Sequence, residues 1–207
     1  MTLIINAIKP EAKPFLNALE NAKKEKCTSL KVHHGTISGK EVMVVRCGVG
    51  LKKATTVTQT MLSNFSISRV IMSGTAGGVD SRLKIGDTAV SEEILYHEKN
   101  DKISHDIGSY NEDIPFKADE KLLLNLKKAI ESDPPAQTPA HAVYFGRITS
   151  GNKFVSGKNF STIAEKYNPL CVDMETAAVA HVCATNNIII NSNDFVLINF
   201  FFMVVFF

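Results

Sequence analysis

The sequence predicts a three-layer α/β domain, and three observations carry the prediction. Short apolar runs suited to strands buried on both faces alternate with amphipathic helical stretches. Glycine-rich turns follow several of those runs directly. No internal repeat or linker divides the 207 residues, a length that buries one sizeable core.

The elements follow in order. Residues 3–7 form the first apolar run and predict a buried strand. Residues 11–24 predict a helix, because Phe15, Leu16 and Leu19 fall on one stripe between Lys and Glu. Residues 31–38 and 40–47 predict a hairpin about Ser38-Gly39, with Gly48-Val49-Gly50 directly after it. Residues 52–65 predict a helix, and residues 69–73 a buried strand closed by Gly74-Thr75-Ala76-Gly77-Gly78. Strand character resumes at 87–90 and reaches Glu92 and Glu93. The polar stretch 97–117, with His97, Lys99, Asp101, His105 and Pro115, predicts a long surface loop. Residues 119–132 predict an amphipathic helix stopped by Asp133-Pro134-Pro135. Strands at 143–149 and 170–173, and an Ala-rich helix at 174–184, complete the domain.

The bulk composition excludes several classes. Hydrophobic residues make up 44% and charged residues 21%, ordinary values for a soluble globular protein. A net charge of +2 favours neither nucleic acid nor a membrane surface as partner. Cys27, Cys47, Cys171 and Cys183 show no CxxC pairing and no zinc spacing, which reads as free thiols in a reducing cytoplasm. The apolar run at the N-terminus is too short for the core of a signal peptide and lacks a basic segment before it.

Ligands of open α/β sheets bind at the C-terminal ends of strands. Glu11, Gly48-Val49-Gly50, residues 74–78 and Asp173-Met174-Glu175 all stand at such ends. The glycine segments admit close approach of a ligand to the backbone, although a Gly-x-Gly is also a plain tight turn. The dinucleotide fingerprint is not met, since Lys53 stands where the third glycine belongs, and no GxxxxGK[ST] loop is present. Glu11 alone reads as a first-turn acid that meets the helix dipole, and Glu175 reads likewise. Together the two carboxylates fit glycosidic-bond cleavage, which needs a carboxylate to activate water or stabilise an oxocarbenium-like state and an acid to protonate the leaving group. His33, His34 and His181 read as ordinary core or surface histidines, and no pair has a metal spacing.

Six segments, in chain order, resemble the 5′-methylthioadenosine/S-adenosylhomocysteine nucleosidases of the nucleoside phosphorylase superfamily. Ile4-Ile5-Asn6-Ala7-Ile8-Lys9-Pro10-Glu11 resembles the first strand and catalytic glutamate, and Cys47-Gly48-Val49-Gly50 the Gly-Ile-Gly turn. Ser73-Gly74-Thr75-Ala76-Gly77-Gly78 is similar to Thr-Gly-Ser-Ala-Gly-Gly, and Val90-Ser91-Glu92-Glu93 with Tyr96-His97 to Val-Ser-Asp-Glu and Tyr-His. Ser150-Gly151-Asn152-Lys153-Phe154-Val155 resembles Ser-Gly-Asp-x-Phe-Ile. Val172-Asp173-Met174-Glu175 with Ala180-His181-Val182-Cys183 resembles Val-Glu-Met-Glu with Ala-His-Val-Cys.

The resemblance implies an αβα domain with a central mixed sheet over residues 1–187 and hydrolysis of the N-ribosyl bond of methylthioadenosine or adenosylhomocysteine in methionine salvage. It implies that Glu11 activates the attacking water and that Met174 and Glu175 hold the ribose. Val49, Thr75, Ala76 and Gly77 would line the ribosyl side, while adenine stacks on Phe154 and meets the backbone at Val155. No cofactor or metal is implied; the partners are a small nucleoside and a second copy in a homodimer, with the loop near Pro115 completing the neighbouring site.

The chain also departs from the family. Asn6 replaces a glycine, Asn152 an aspartate, and the Arg-x-x-Ser-Asp segment, whose Asp protonates adenine N7, has no counterpart around Asp194-Phe195-Val196-Leu197-Ile198-Asn199. Residues 195–207 hold six of the twelve phenylalanines and no polar residue except Asn199. Residues 188–207 are therefore expected to be an atypical hydrophobic tail in place of the family ending, resembling translated intron or shifted-frame sequence. The thirteen-residue run falls short of the roughly 20 needed to span a bilayer. Residues 195–198 are a candidate replacement strand. The expectation is a poorly soluble, nearly inactive chain that keeps nucleoside affinity. Two alternatives stand beside the nucleosidase: a phosphate-dependent purine nucleoside phosphorylase using Lys52, and a non-catalytic nucleoside-binding or truncated relative.

Overall fold

The computed structural model describes residues 1–98, 114–132, 142–186 and 198–199. Its strands form two hydrogen-bonded sheets. In the first, β1 (Thr2–Asn6) lies between β4 (Lys40–Arg46) and β5 (Arg69–Met72), parallel to both. The hairpin of β3 (Leu30–Ile37) with β4 and the antiparallel β2 (Glu20–Cys27) extend it to five strands. In the second, β7 (Thr88–Tyr96), β9 (Val143–Ser150) and β10 (Cys171–Asp173) run parallel. Three two-residue strands join it antiparallel: β6 (Gly77–Gly78) on β10, and β8 (Phe116–Lys117) and β11 (Ile198–Asn199) on β7.

Side-chain alternation makes the layers. In β1 and β4, Leu3, Ile5, Met43 and Val45 face one side, while Ile4, Val42 and Val44 face the other. The second side is covered by α1 (Lys9–Ala18) through Ala12, Phe15 and Leu16. The first side is covered by α2 (Leu51–Asn64), through Ala54, Val57 and Met61, and by α5 (Thr176–Thr185). Helix α5 packs between α2 and the strands β7 and β9, so it is apolar all round, and Ala177, Val179 and Cys183 are fully buried. Against the second sheet pack α3 (Glu120–Ser132), through Leu123 and Leu126, and α4 (Lys158–Tyr167), through Phe160, Ile163 and Tyr167. The mixed α/β layering matches the fold class predicted from the sequence.

Three local expectations are corrected. The helix expected over 11–24 ends at Ala18; Leu19 is extended, Asn21 takes φ +51°, and residues 20–27 form β2. Leu19 continues the apolar stripe in sequence but reaches the same cluster from an extended backbone, and the alternating Lys and Glu beyond it suit an exposed edge strand. Within the expected loop 97–117, Phe116 and Lys117 pair with β7, and Phe116 is buried. Helix α4 was not expected, although Phe160, Ile163, Ala164 and Tyr167 carry helical spacing. Residues 99–113, the stop at 133–135 and the tail, apart from Ile198–Asn199, lie outside the described residues, as does the expected boundary at 187. Of the candidate replacement strand at 195–198, Ile198 pairs with Val90.

Candidate active site

The C-terminal ends of β1 and β5 lie side by side because the strands are parallel and in register from Thr2↔Arg69 to Ile5↔Met72. Asn6 ties them further, its buried amide donating to the Ser73 carbonyl at 2.7 Å, so the residue that departs from the family glycine acts as a cross-strand brace. Two residues on, the chain turns into α1 and places Glu11 in its first turn. The Glu11 carboxylate accepts four hydrogen bonds. Oε2 takes the amides of Ala7 and Ile8, both at 2.9 Å, and Oε1 takes the amide and the hydroxyl of Thr75, at 2.9 and 2.8 Å. Glu11 is thus a helix-start acid and also a bridge from α1 to the segment after β5. Gly74 lies directly under it: a Cβ there would stand 3.3 Å from the Glu11 carboxyl carbon.

The turn after β4 supplies the next wall. Gly50 adopts φ +106°, open chiefly to glycine, and begins α2 with its amide aimed at Glu175 Oε1, 2.7 Å away. Met174 gives its amide to Glu175 Oε2 at 3.2 Å. Asp173, at the end of β10, is buried and receives the hydroxyls of Ser150 and Thr176 together with the amides of Glu175 and Thr176. Ser150 in turn accepts the Ala177 amide at 2.9 Å. This polar knot fixes the start of α5 and with it the Glu175 side chain. Burial, then the nearby Asp173 charge, push Glu175 up to about 7 against the opposing amide hydrogen bonds. Burial raises Asp173 as well.

The third wall is the segment after β9. Phe154 leaves 70% of its surface exposed, whereas Val155 is buried against Ile163 and Tyr167 of α4. Together the three walls enclose a cavity of about 790 Å³. Glu11, Val49, Thr75, Ala76, Gly77, Phe154, Val155, Met174 and Glu175, the residues singled out from the sequence, all line it. So do Asp173 and Phe160, to which the sequence assigned no role. A second acid two residues before Glu175 in an apolar strand was the available signal for Asp173; Phe160 went unseen with its helix. Lys153 is the sole cation among the described lining residues, and Lys52 is not one of them.

The histidines stand elsewhere. His33 and His34 sit in β3, and His181 lies 3.3 Å from the Tyr96 hydroxyl. Among the described residues no three His, Cys, Asp or Glu side chains could hold a metal, and no helix is long and apolar enough to cross a membrane.

Residues 2–190 match the model of the phosphorylase superfamily. The 5′-methylthioadenosine/S-adenosylhomocysteine nucleosidase of Bacillus thuringiensis (strain Al Hakam) is 31% identical over 184 residues, which cover 87% of this chain and 78% of that protein. A nucleosidase of the same kind from Colwellia psychrerythraea 34H, solved in complex with adenine, superposes with a TM-score of 0.84 at 27% identity, covering 99% of this chain and 82% of that one. The Neisseria meningitidis nucleosidase in complex with methylthio-immucillin-A gives 0.83 at 26% identity, covering 97% and 84%.

Proposed function

Because the chain belongs to the phosphorylase superfamily and, within it, to the 5′-methylthioadenosine/S-adenosylhomocysteine nucleosidases, it is an N-ribosyl hydrolase, and we propose that Glu11, Thr75 and Glu175 carry the hydrolysis. The supporting observation is that two carboxylates, Glu11 and Glu175, line one cavity with an exposed aromatic ring, Phe154. That combination suits a ribosyl group joined to a flat base.

In this reading water attacks the anomeric carbon, the bond to the base nitrogen breaks, and the electron pair leaves with adenine. Glu11 takes the water's proton. Its four donors fill the acceptor positions of the carboxylate, so one of them must yield. The three amides are fixed, but the Thr75 hydroxyl can rotate, and its swing away from Oε1 frees a lone pair for the proton. Glu175, held by the Gly50 and Met174 amides, accepts hydrogen bonds from the ribose hydroxyls through its ionised form. Phe154 stacks on adenine, and Val155 offers it backbone groups.

Phosphorolysis fits less well. A phosphate dianion beside Glu11 and Glu175 meets two acids, and the only described cation of the cavity, Lys153, belongs to the wall that carries Phe154. No Ser-Asp occurs in residues 188–207, so protonation of the leaving adenine falls to solvent, and turnover is slower by ~10²–10⁴-fold than with a general acid in place. The cytoplasm and a homodimer complete the proposal. Exposed Ile8 and Val49 around the cavity are apolar groups that a second copy would cover. Adenine release from methylthioadenosine, measured with and without phosphate, tests the reading.

A further inference from the structure

The segment that carries Phe154 is held from beneath by two side chains at the end of β7. Glu98 grips it with both oxygens: Oε2 accepts the Asn152 amide at 2.9 Å, and Oε1 accepts the Lys153 amide at 3.1 Å. Adjacent amides turned toward one carboxylate form a small anion-binding nest, here filled by the protein itself. His97 supplies the floor. Its Nδ1 lies 3.2 Å from the Thr149 hydroxyl, its amide donates to Ser150, and a Cβ on Gly151 would overlap its imidazole. Gly151 is therefore required by close approach to His97. The Tyr167 hydroxyl, from α4, donates to the His97 carbonyl at 3.5 Å and links this support to the helix against which Val155 packs.

From this geometry we propose that Glu98 is a positioning residue for the base-binding end of the site: by holding the amides of Asn152 and Lys153 it sets where Phe154 and the Val155 backbone meet the nucleobase. Glu98 is not among the described residues that line the cavity. Its effect is transmitted over the one residue between Lys153 and Val155, and it is confined to the base. The ribosyl wall is fixed separately, through Asp173, Gly50 and Thr75.

This inference rests on the proposed placement of adenine at Phe154, and the test separates the two. Calorimetric titrations of the full chain with adenine and with 5-methylthioribose are compared for the parent, Glu98→Gln and Phe154→Ala. In Glu98→Gln one amide faces an NH₂ group, and adenine Kd rises about tenfold, as expected for loss of a charged hydrogen bond. Kd for 5-methylthioribose stays within about twofold, while the melting temperature falls by roughly 3–6 °C, the scale of one lost charged hydrogen bond. Glu98→Ala shows the same ordering of the two ligands and serves if the amide variant does not fold. Weakened adenine binding in Phe154→Ala but not in Glu98→Gln overturns the role of Glu98 while leaving the base at Phe154. Equal weakening of both ligands in Glu98→Gln also overturns it, because that is the mark of a general structural contact. Parent-like adenine affinity in both variants removes the placement of adenine and the proposal together.

Discussion

Thr75 gives both its amide and its hydroxyl to the same oxygen of Glu11, at 2.9 and 2.8 Å. The amide fixes the carboxylate, and the hydroxyl is the one donor of four that can turn away without moving the backbone. Thr75→Val removes only the rotor. The expected result is a kcat at or slightly above the parent's with KM nearly unchanged, because the Oε1 lone pair that the swing must free is then free from the start. Thr75→Ser keeps the hydroxyl and should stay near the parent. Steady-state kinetics of the two variants decide the point, and a Thr75→Val enzyme about tenfold slower in kcat would contradict the swing by showing that the hydroxyl bond to Glu11 is kept in the transition state.

Glu175 is expected to oppose stability while it serves binding. Burial and Asp173 raise it to about 7, above its value in the unfolded chain, so the folded protein holds this proton more tightly. The resulting stabilisation is complete below the unfolded value and is lost as pH rises toward and through about 7. At pH 8 the ionised group costs on the order of 3 kcal/mol. Glu175→Gln should therefore melt higher than the parent at pH 8 and close to it near pH 4. Its nucleoside affinity should fall about tenfold or more, through loss of a charged acceptor. Parent affinity should rise between pH 6 and 8. Thermal melts and titrations at both ends of the range test all three statements, and a pH-independent parent affinity would contradict the ionised acceptor.

Phe154→Ala should raise the adenine Kd about tenfold or more, since stacking of a base on an aromatic ring contributes roughly 1–3 kcal/mol. The melting temperature should barely move, because the ring is 70% exposed and packs little. Unchanged adenine affinity, measured by calorimetry, would place the base elsewhere in the cavity.

Much of this site was legible because its residues sit at strand ends, where glycines and acids stand out against apolar runs. Glu11, Thr75 and Glu175 were each visible as a motif, but the bonds that join Thr75 to Glu11 and Gly50 to Glu175 span 64 and 125 residues, and no local pattern reveals them. The helix over 11–24 failed for a related reason. Leu19 satisfies helical spacing, yet tertiary packing of an extended backbone places it in the same cluster, and Asn21 takes a left-handed turn that its type tolerates. Gly77-Gly78 read as a turn and is a short strand, because its partner β10 lies far along the chain.

The lack of a Ser-Asp pair in residues 188–207 leads to a gain-of-function expectation. Replacing the stretch around Asp194 with an Arg-x-x-Ser-Asp ending should raise kcat by ~10²–10⁴-fold, the range for a positioned general acid. The measurement is adenine release by the parent and the graft at matched concentrations of folded protein. Equal rates would show that proton delivery to adenine does not limit this chain.

Hydrolysis itself is tested most directly by following adenine and the sugar product from methylthioadenosine at enzyme concentrations near the substrate concentration, with and without phosphate, for the parent and for Glu11→Gln. The expected result is slow release of adenine with free 5-methylthioribose, the same at every phosphate concentration, and abolished by Glu11→Gln while nucleoside binding persists. Release that requires phosphate and yields a sugar 1-phosphate would contradict it in favour of a phosphorylase, and nucleoside binding with no release over hours would contradict it in favour of a binding protein.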